Sequence, residues 1–371
     1  MHTVTALISR RCRPLRASAA LALLAVVIAS AAAALSIETP AAQSAASPRY
    51  TRSDLVNPTA TRAIRISYRS HTGRMRPAIV LVPRWYGPDR NPPIPLVIAP
   101  HGRGISYAVN ARRWGNLPGI GGFAVVSPAG QGRHLLKYSW GARGQIADLA
   151  RMPNIVTAAV RWLRIDRRRI YAFGGSMGGQ ETLLLAAQYP SLLAGAGAID
   201  SLVDFPLQYR NFPSLGCKAA CLRMWGGPIG FGLQRLARKE VGGTPAAVPA
   251  EYGARSPLRF AGRIAVSCVP LQIWWSRTDR VVVDSSKQSG RLFRRIKSRN
   301  ARAAVEAYVG SWQHTLAFEP DTMLPLALAR FGLMPPEFDR SPRRVKFTPA
   351  APNACGPERV EGRWGIYTPA P

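Results

Sequence analysis

The sequence predicts an α/β fold: a mostly parallel sheet with helices on both faces, plus an inserted cap-like segment. Three observations carry this. From about residue 94 to 331, short apolar runs alternate with helix-like stretches. A run such as Leu96-Val97-Ile98-Ala99 is apolar throughout, which suits a strand covered on both faces. The rhythm breaks over 201–258, where Pro, Gly and aromatic residues gather in the manner of an insertion over the sheet.

The first 46 residues stand apart from this fold. Arg10, Arg11, Arg13 and Arg16 form a basic start, an uncharged Ala-, Leu- and Val-rich run covers 17–37, and small residues follow through Ala42, Ser44 and Ala46. That is the shape of a secretory signal peptide cut between about 34 and 46, so the protein is expected to be secreted or extracytoplasmic. The uncharged run is long for such a segment, and an uncleaved membrane anchor is the alternative. Arg10-Arg11 also invites a twin-arginine export reading, which Cys12 and Arg13 fit poorly. Residues 47–61 read as a flexible linker, 62–335 as the main domain and 336–371 as a C-terminal tail.

Within the domain, 63–69 alternates and 78–83 runs apolar, with Ser70-His71-Thr72-Gly73-Arg74 as the turn of a hairpin at an antiparallel edge. Strands are expected at 96–99, 122–127, 169–173, 193–199, 271–275 and 303–308. Helices are expected at 146–163, 181–189, 285–297 and 316–331. Pro153 should split or kink the first of these. No internal repeat is present.

Charge narrows the partners. The 371 residues carry 50 Lys+Arg against 19 Asp+Glu, for +31 at pH 7. Loss of the first 46 residues would leave about +28. Six of the fifty basic residues are Lys, and the arginines are spread along the chain. No zinc-finger spacing, RNP-like aromatic motif or continuous basic helix accompanies them, so a dedicated nucleic-acid function is not expected. Loose attraction to an anionic cell surface is compatible with this charge. Four cysteines follow the leader: Cys217, Cys221, Cys268 and Cys355. An even number in an exported chain argues for two disulfides, of which 217–221 with 268–355 is the simplest pairing. No His lies near them in sequence, which disfavours a metal site.

The sharpest motif is Gly174-Gly175-Ser176-Met177-Gly178-Gly179, between a strand-like and a helix-like segment. A nucleophile elbow needs that strand–turn–helix setting, and its tightness favours Gly174 and Gly178 for lacking side chains. A plain glycine turn or a phosphate cradle would share the glycines, but no Walker lysine follows. A serine nucleophile needs a base. Of His2, His71, His101, His134 and His314, only His314 follows the last long strand, in Gly310-Ser311-Trp312-Gln313-His314. Asp279, just past the strand at 271–275, is the favoured acid, with Asp200 and Asp204 as rivals and Asp284 read as a helix cap. His101-Gly102-Arg103-Gly104 follows an earlier strand, where backbone N–H groups of Arg103 and Met177 could form an oxyanion hole. Trp85-Tyr86, Trp140, Trp275 and Trp312 are candidates for an aromatic platform, or ordinary core.

The motifs HGRG, GGSMGG, SRTDRVV and SWQH, in that order, resemble the α/β-hydrolase superfamily, in particular bacterial secreted esterases and the catalytic domain of the prolyl oligopeptidase family. The resemblance covers about residues 62–335. It implies Ser176 as nucleophile, Asp279 as acid, His314 as base, and Arg103 with Met177 as oxyanion hole, with no metal or organic cofactor. The expected activity is cleavage of a small-molecule or polymeric carboxylic ester through an acyl-enzyme. A prolyl oligopeptidase-type peptidase is the alternative, although the short N-terminal lead-in cannot build that family's β-propeller. A non-catalytic basic cell-surface binding protein is the reading from a different class. Oligomeric state is not legible.

Overall fold

The computed structural model describes residues 50–130, 140–215, 230–339 and 345–351. The leader, Cys217, Cys221, Cys355 and most of the C-terminal tail lie outside these. Among the described residues, no helix is long and apolar enough to cross a membrane.

Among the described residues, nine strands form one sheet: β1 (Thr61–Arg69), β2 (Met75–Pro83), β3 (Ile94–Ile98), β4 (Ala124–Pro128), β5 (Ile165–Gly175), β6 (Gly195–Ile199), β7 (Leu271–Ser276), β8 (Val305–Gly310) and β9 (Lys346–Thr348). Their spatial order is β1-β2-β4-β3-β5-β6-β7-β8-β9. The six strands from β4 to β8 in that order run parallel, while β1, β2 and β9 pair antiparallel at the two edges. The apolar runs behave as expected of strands covered on both sides. Along β3, Ile94, Leu96 and Ile98 enter one core and Val97 the other. The first core is filled by Ile146, Leu149, Leu183, Leu184 and Leu292 from helices, the second by Trp114, Leu324 and Phe331.

The α-helices among the described residues are α1 (Arg52–Val56), α2 (Tyr107–Arg112), α3 (Leu117–Gly121), α4 (Arg143–Ala159), α5 (Met177–Gln188) and α6 (Phe205–Asn211), followed by Phe231–Val241, Pro249–Ala254, Ala261–Val266, Ser289–Arg299 and Leu324–Ala329. The insertion is thus helical where it is described. Its Phe205, Phe212 and Tyr252 form a small third core together with Trp140 and Met177 of the main domain.

Several expectations are corrected. The lead-in read as flexible contains α1, closed by a capping box between Thr51 and Asp54 and anchored by buried Leu55. Helix α4 runs unbroken through Pro153. Its hydroxyl-bearing neighbour Thr157 donates back to the carbonyls of Pro153 and Asn154, each at 3.1 Å. The single helix expected over 316–331 is two short pieces, Leu316–Phe318 and Leu324–Ala329. Pro320 between them disfavours helical geometry at the residue before it. Asp284 does not cap the following helix. That helix begins at Ser289, and the Asp284 carboxylate meets Lys287 at 3.2 Å. Strand β9 falls in the expected tail, and the Phe347 ring on it packs, tilted, 4.8 Å from that of Tyr308.

Candidate active site

Ser176 stands on the turn between β5 and α5 at φ 58°, ψ −122°. A non-glycine residue in this region carries strain of about 1–3 kcal/mol, held only where the surroundings over-determine it. Here they do. The Ser176 N–H donates to the Ile199 carbonyl on β6 at 2.9 Å, and its own carbonyl accepts from Gln180 at 3.0 Å. Both expected glycines are required by space. A Cβ on Gly174 would lie 2.3 Å from the Gly178 carbonyl oxygen, and one on Gly178 would lie 2.2 Å from that of Pro100. The turn therefore presses β5, α5 and the loop after β3 together.

His314 and Asp279 meet directly, His314 Nδ1 to Asp279 Oδ2 at 2.8 Å. Asp279 sits just after β7, and its other oxygen accepts from the N–H groups of Val281 and Val282 at 2.7 and 3.1 Å. Its orientation is fixed from both ends. Burial presses the His314 imidazole toward its neutral form, yet the charge and hydrogen bond of Asp279, backed by Asp200, prevail over burial and over Arg113. The result is a His314 held above its ordinary value. Thr315, next in the chain, sits at φ 59°, and a Cβ on Gly175 would lie 3.1 Å from its Cγ2. The His314 loop thus abuts the Ser176 turn.

The loop after β3 closes the other side. A Cβ on Gly102 would lie 3.7 Å from that of Ser176. His101 is buried, its Nδ1 3.0 Å from the Gly102 carbonyl oxygen, and burial holds it below its ordinary value. It shapes the loop. The Arg103 guanidinium donates to Glu240 Oε1 of the insertion at 2.6 Å and lies 5.5 Å from the Trp140 ring. Met177 opens α5, fully buried.

Asp200 and Asp204, the rival acids, part company. Asp204 caps α6 and meets Arg291 at 3.2 Å, away from the histidine. Asp200 is completely buried at φ 45° and accepts from Ser276 N at 2.9 Å, Trp312 Nε1 at 2.8 Å and Thr315 N at 2.8 Å. Burial pushes its carboxyl up to about 6, with the Asp279 charge adding to the rise and the histidine and N–H donors opposing it. Asp200, Asp279 and His314 bring ligand-type atoms within 4.8 Å of one another. Every carboxylate oxygen among them already accepts a hydrogen bond, so the group is built as a hydrogen-bond network, not as a cation cage.

The aromatic platform is not assembled. Because β2 runs antiparallel to its neighbours, Trp85 and Tyr86 end up at the opposite edge of the sheet, where Tyr86 packs on Trp162. Trp140 belongs to the small third core, Trp275 packs against Phe293, and Trp312 is tied to Asp200.

No protein-family model and no curated protein matches the sequence. Solved structures do. Puromycin hydrolase superposes with a TM-score of 0.51 at 19% identity, over 77% of this chain and 40% of that one. Brefeldin A esterase, a bacterial homologue of human hormone sensitive lipase, gives 0.51 at 15% identity over 73% and 74%. The chain has the α/β-hydrolase fold. Porphyromonas gingivalis dipeptidyl peptidase 4 matches it with a TM-score of 0.50 at 14% identity, over 73% of this chain and 35% of that one. The chain thus spans well under half the length of the puromycin hydrolase and the dipeptidyl peptidase. In an α/β-hydrolase fold, the turn after β5, the ends of β7 and β8 and the loop after β3 lie at one edge of the sheet, where open α/β sheets bind ligands. All four carry the residues singled out by sequence.

The contacts of three residues are not legible in the sequence. Glu240 lies in the insertion with no motif around it. Trp312 and Ser276 were quoted within motifs, but nothing local told that both would bond to Asp200.

Proposed function

We propose that the protein is a serine hydrolase that cleaves carboxylic esters through an acyl-enzyme on Ser176. The observation that carries this is the buried His314–Asp279 bond beside a serine held at φ 58° on a strand–turn–helix elbow. In this reading Ser176 Oγ attacks the ester carbonyl while His314 takes its proton. Backbone N–H groups of Arg103 and Met177 hold the oxyanion, and the histidine returns the proton to the departing alcohol. Water, activated by the same histidine, then attacks the acyl-enzyme, releases the acid and restores Ser176. Asp279 fixes the imidazole tautomer and stabilises its charged form. A peptidase would use the same groups, and the dipeptidyl peptidase among the structural neighbours supports it as the second reading.

The proposal includes export by the 1–46 leader and two disulfides, one of them on Cys268. It also includes loose attraction to anionic surfaces, supported by a cleft of about 540 Å³ lined by Arg210, Arg259, Arg291 and Arg295. The deciding experiment is fluorophosphonate labelling of the protein without its leader. A single adduct on Ser176, absent from Ser176→Ala, supports a serine hydrolase, and matched ester and peptide-amide substrates then separate the two readings. A folded protein that takes no label turns the reading toward the binding protein.

A further inference from the structure

We propose that Asp200 is a positioning residue of the Ser176 site, a second carboxylate that joins the loop of the acid to the loop of the base. This rests on the hydrolase reading above and deepens it. Asp200 follows Ile199, whose carbonyl accepts from the Ser176 N–H at 2.9 Å. One carboxylate oxygen, Oδ1, accepts from Ser276 N, at the end of β7 and three residues before Asp279. The other, Oδ2, accepts from Trp312 Nε1 and Thr315 N, which flank His314. Nucleophile, acid and base therefore converge on one two-residue segment at the end of β6. Ser276 reinforces the link: its hydroxyl donates to the Trp312 carbonyl at 2.6 Å and accepts from the Trp312 N–H at 2.8 Å.

Such a carboxylate has two effects. Its three N–H bonds set the spacing of the two loops, on which the 2.8 Å His314–Asp279 bond depends. Its negative charge faces the imidazole with that of Asp279. The opposing charge is Arg113, itself paired with Glu319 at 3.4 Å. Removing the Asp200 charge leaves Arg113 less opposed, so the imidazolium loses support and His314 gives up its proton at lower pH. The aspartate also carries a cost, since it is buried and held at a positive φ of 45°. A residue with packing duty alone would not need an ionised group there.

The test is Asp200→Asn in the otherwise intact protein, with His314 titrated by NMR of its ring nitrogens and ester hydrolysis measured across pH. The variant keeps the shape but loses the charge and one acceptor. The expected result has three parts: a lower His314 midpoint, an acid limb of kcat/KM moved the same way, and kcat down roughly 10- to 100-fold with KM nearly unchanged. A folded Asp200→Asn whose His314 titrates as in the wild type, with kcat within about twofold, overturns the proposal. If Asp200→Asn does not fold, Trp312→Phe removes one of the three donors. A smaller shift in the same direction then supports the proposal, and no shift overturns it. Ser176→Ala keeps the two questions apart. Hydrolysis that survives it sinks the hydrolase reading, while the His314 titration still decides Asp200.

Discussion

Arg103 and Glu240 form a 2.6 Å ion pair whose side chains are only 11% and 1% exposed, tying the loop after β3 to the helix Phe231–Val241 of the insertion. The insertion therefore holds the loop whose backbone is proposed to bind the oxyanion. Glu240→Gln removes the charge and leaves a buried guanidinium partly unmatched, which costs about 3 kcal/mol. Thermal melting should show a lower Tm. Esterase kinetics should show kcat down roughly tenfold with a smaller change in KM, because a loosened donor stabilises the transition state more than the ground state. If kcat is untouched in the folded variant, the pair serves stability alone.

The His314–Asp279 bond makes a prediction about pH. In the proposed reaction His314 must be neutral to accept a proton, and it is held above its ordinary value of 6.5. Activity should therefore appear as pH rises through a midpoint above 6.5, and the acid limb of kcat/KM reads this directly. Asp279→Asn should cut kcat by roughly 10⁴ and move the remaining limb downward, since both the tautomer and the charge support are lost. A limb that stays in place in Asp279→Asn would assign it to a group other than His314.

What the sequence conveyed, and what it did not, divides along the range of the interactions. The elbow at Ser176 is legible because strand, glycine turn and helix adjoin in sequence and a Gly174 Cβ would clash at 2.3 Å with Gly178, although the demand on Gly178 comes from Pro100, far earlier in the chain. The meeting of Asp279 and His314 is legible because each lies a few residues past an apolar run, and such a fold gathers its strand-end loops at one edge. Trp85-Tyr86 takes the ordinary-core reading and not the platform one, because the direction of β2 is set by pairing with β4, which no local pattern encodes. The role of Asp200 depends on donors 76, 112 and 115 residues further along the chain, so its neighbours in sequence carry no trace of it. The three residues of β9 are too few for a periodicity to register.

A second buried carboxylate fastens the hairpin. Asp148 on α4 is fully buried and accepts from the His71 N–H at 2.8 and 3.0 Å, bonds His71 Nδ1 at 2.6 Å and pairs with Arg151. It thus anchors the β1–β2 turn to the start of the helix. Asp148→Asn offers one acceptor oxygen where two are used, so it should destabilise the fold by about 2–3 kcal/mol. That corresponds to a drop in Tm of several degrees, and limited proteolysis should find the 70–74 turn newly open. A variant that melts with the wild type would show the hairpin to be held by β-pairing alone.

Glu181 gives the opposite sign. It lies on α5, five residues past Ser176, without solvent exposure. Burial raises its carboxyl well above the ordinary value, outweighing the opposing pull of the nearby Gly141 backbone and Gln145 side chain. The folded state therefore keeps this proton to a higher pH than the unfolded chain does. As pH rises past the unfolded value, the unfolded form ionises freely while the folded form cannot, and stability falls. Glutamine has the same shape and never ionises, so Glu181→Gln should melt above the wild type at pH 8, with the gain shrinking toward pH 5. Calorimetry at the two pH values measures this. A Glu181→Gln protein that loses more stability at pH 8 than at pH 5 would mean that the carboxylate is ionised and needed beneath the elbow.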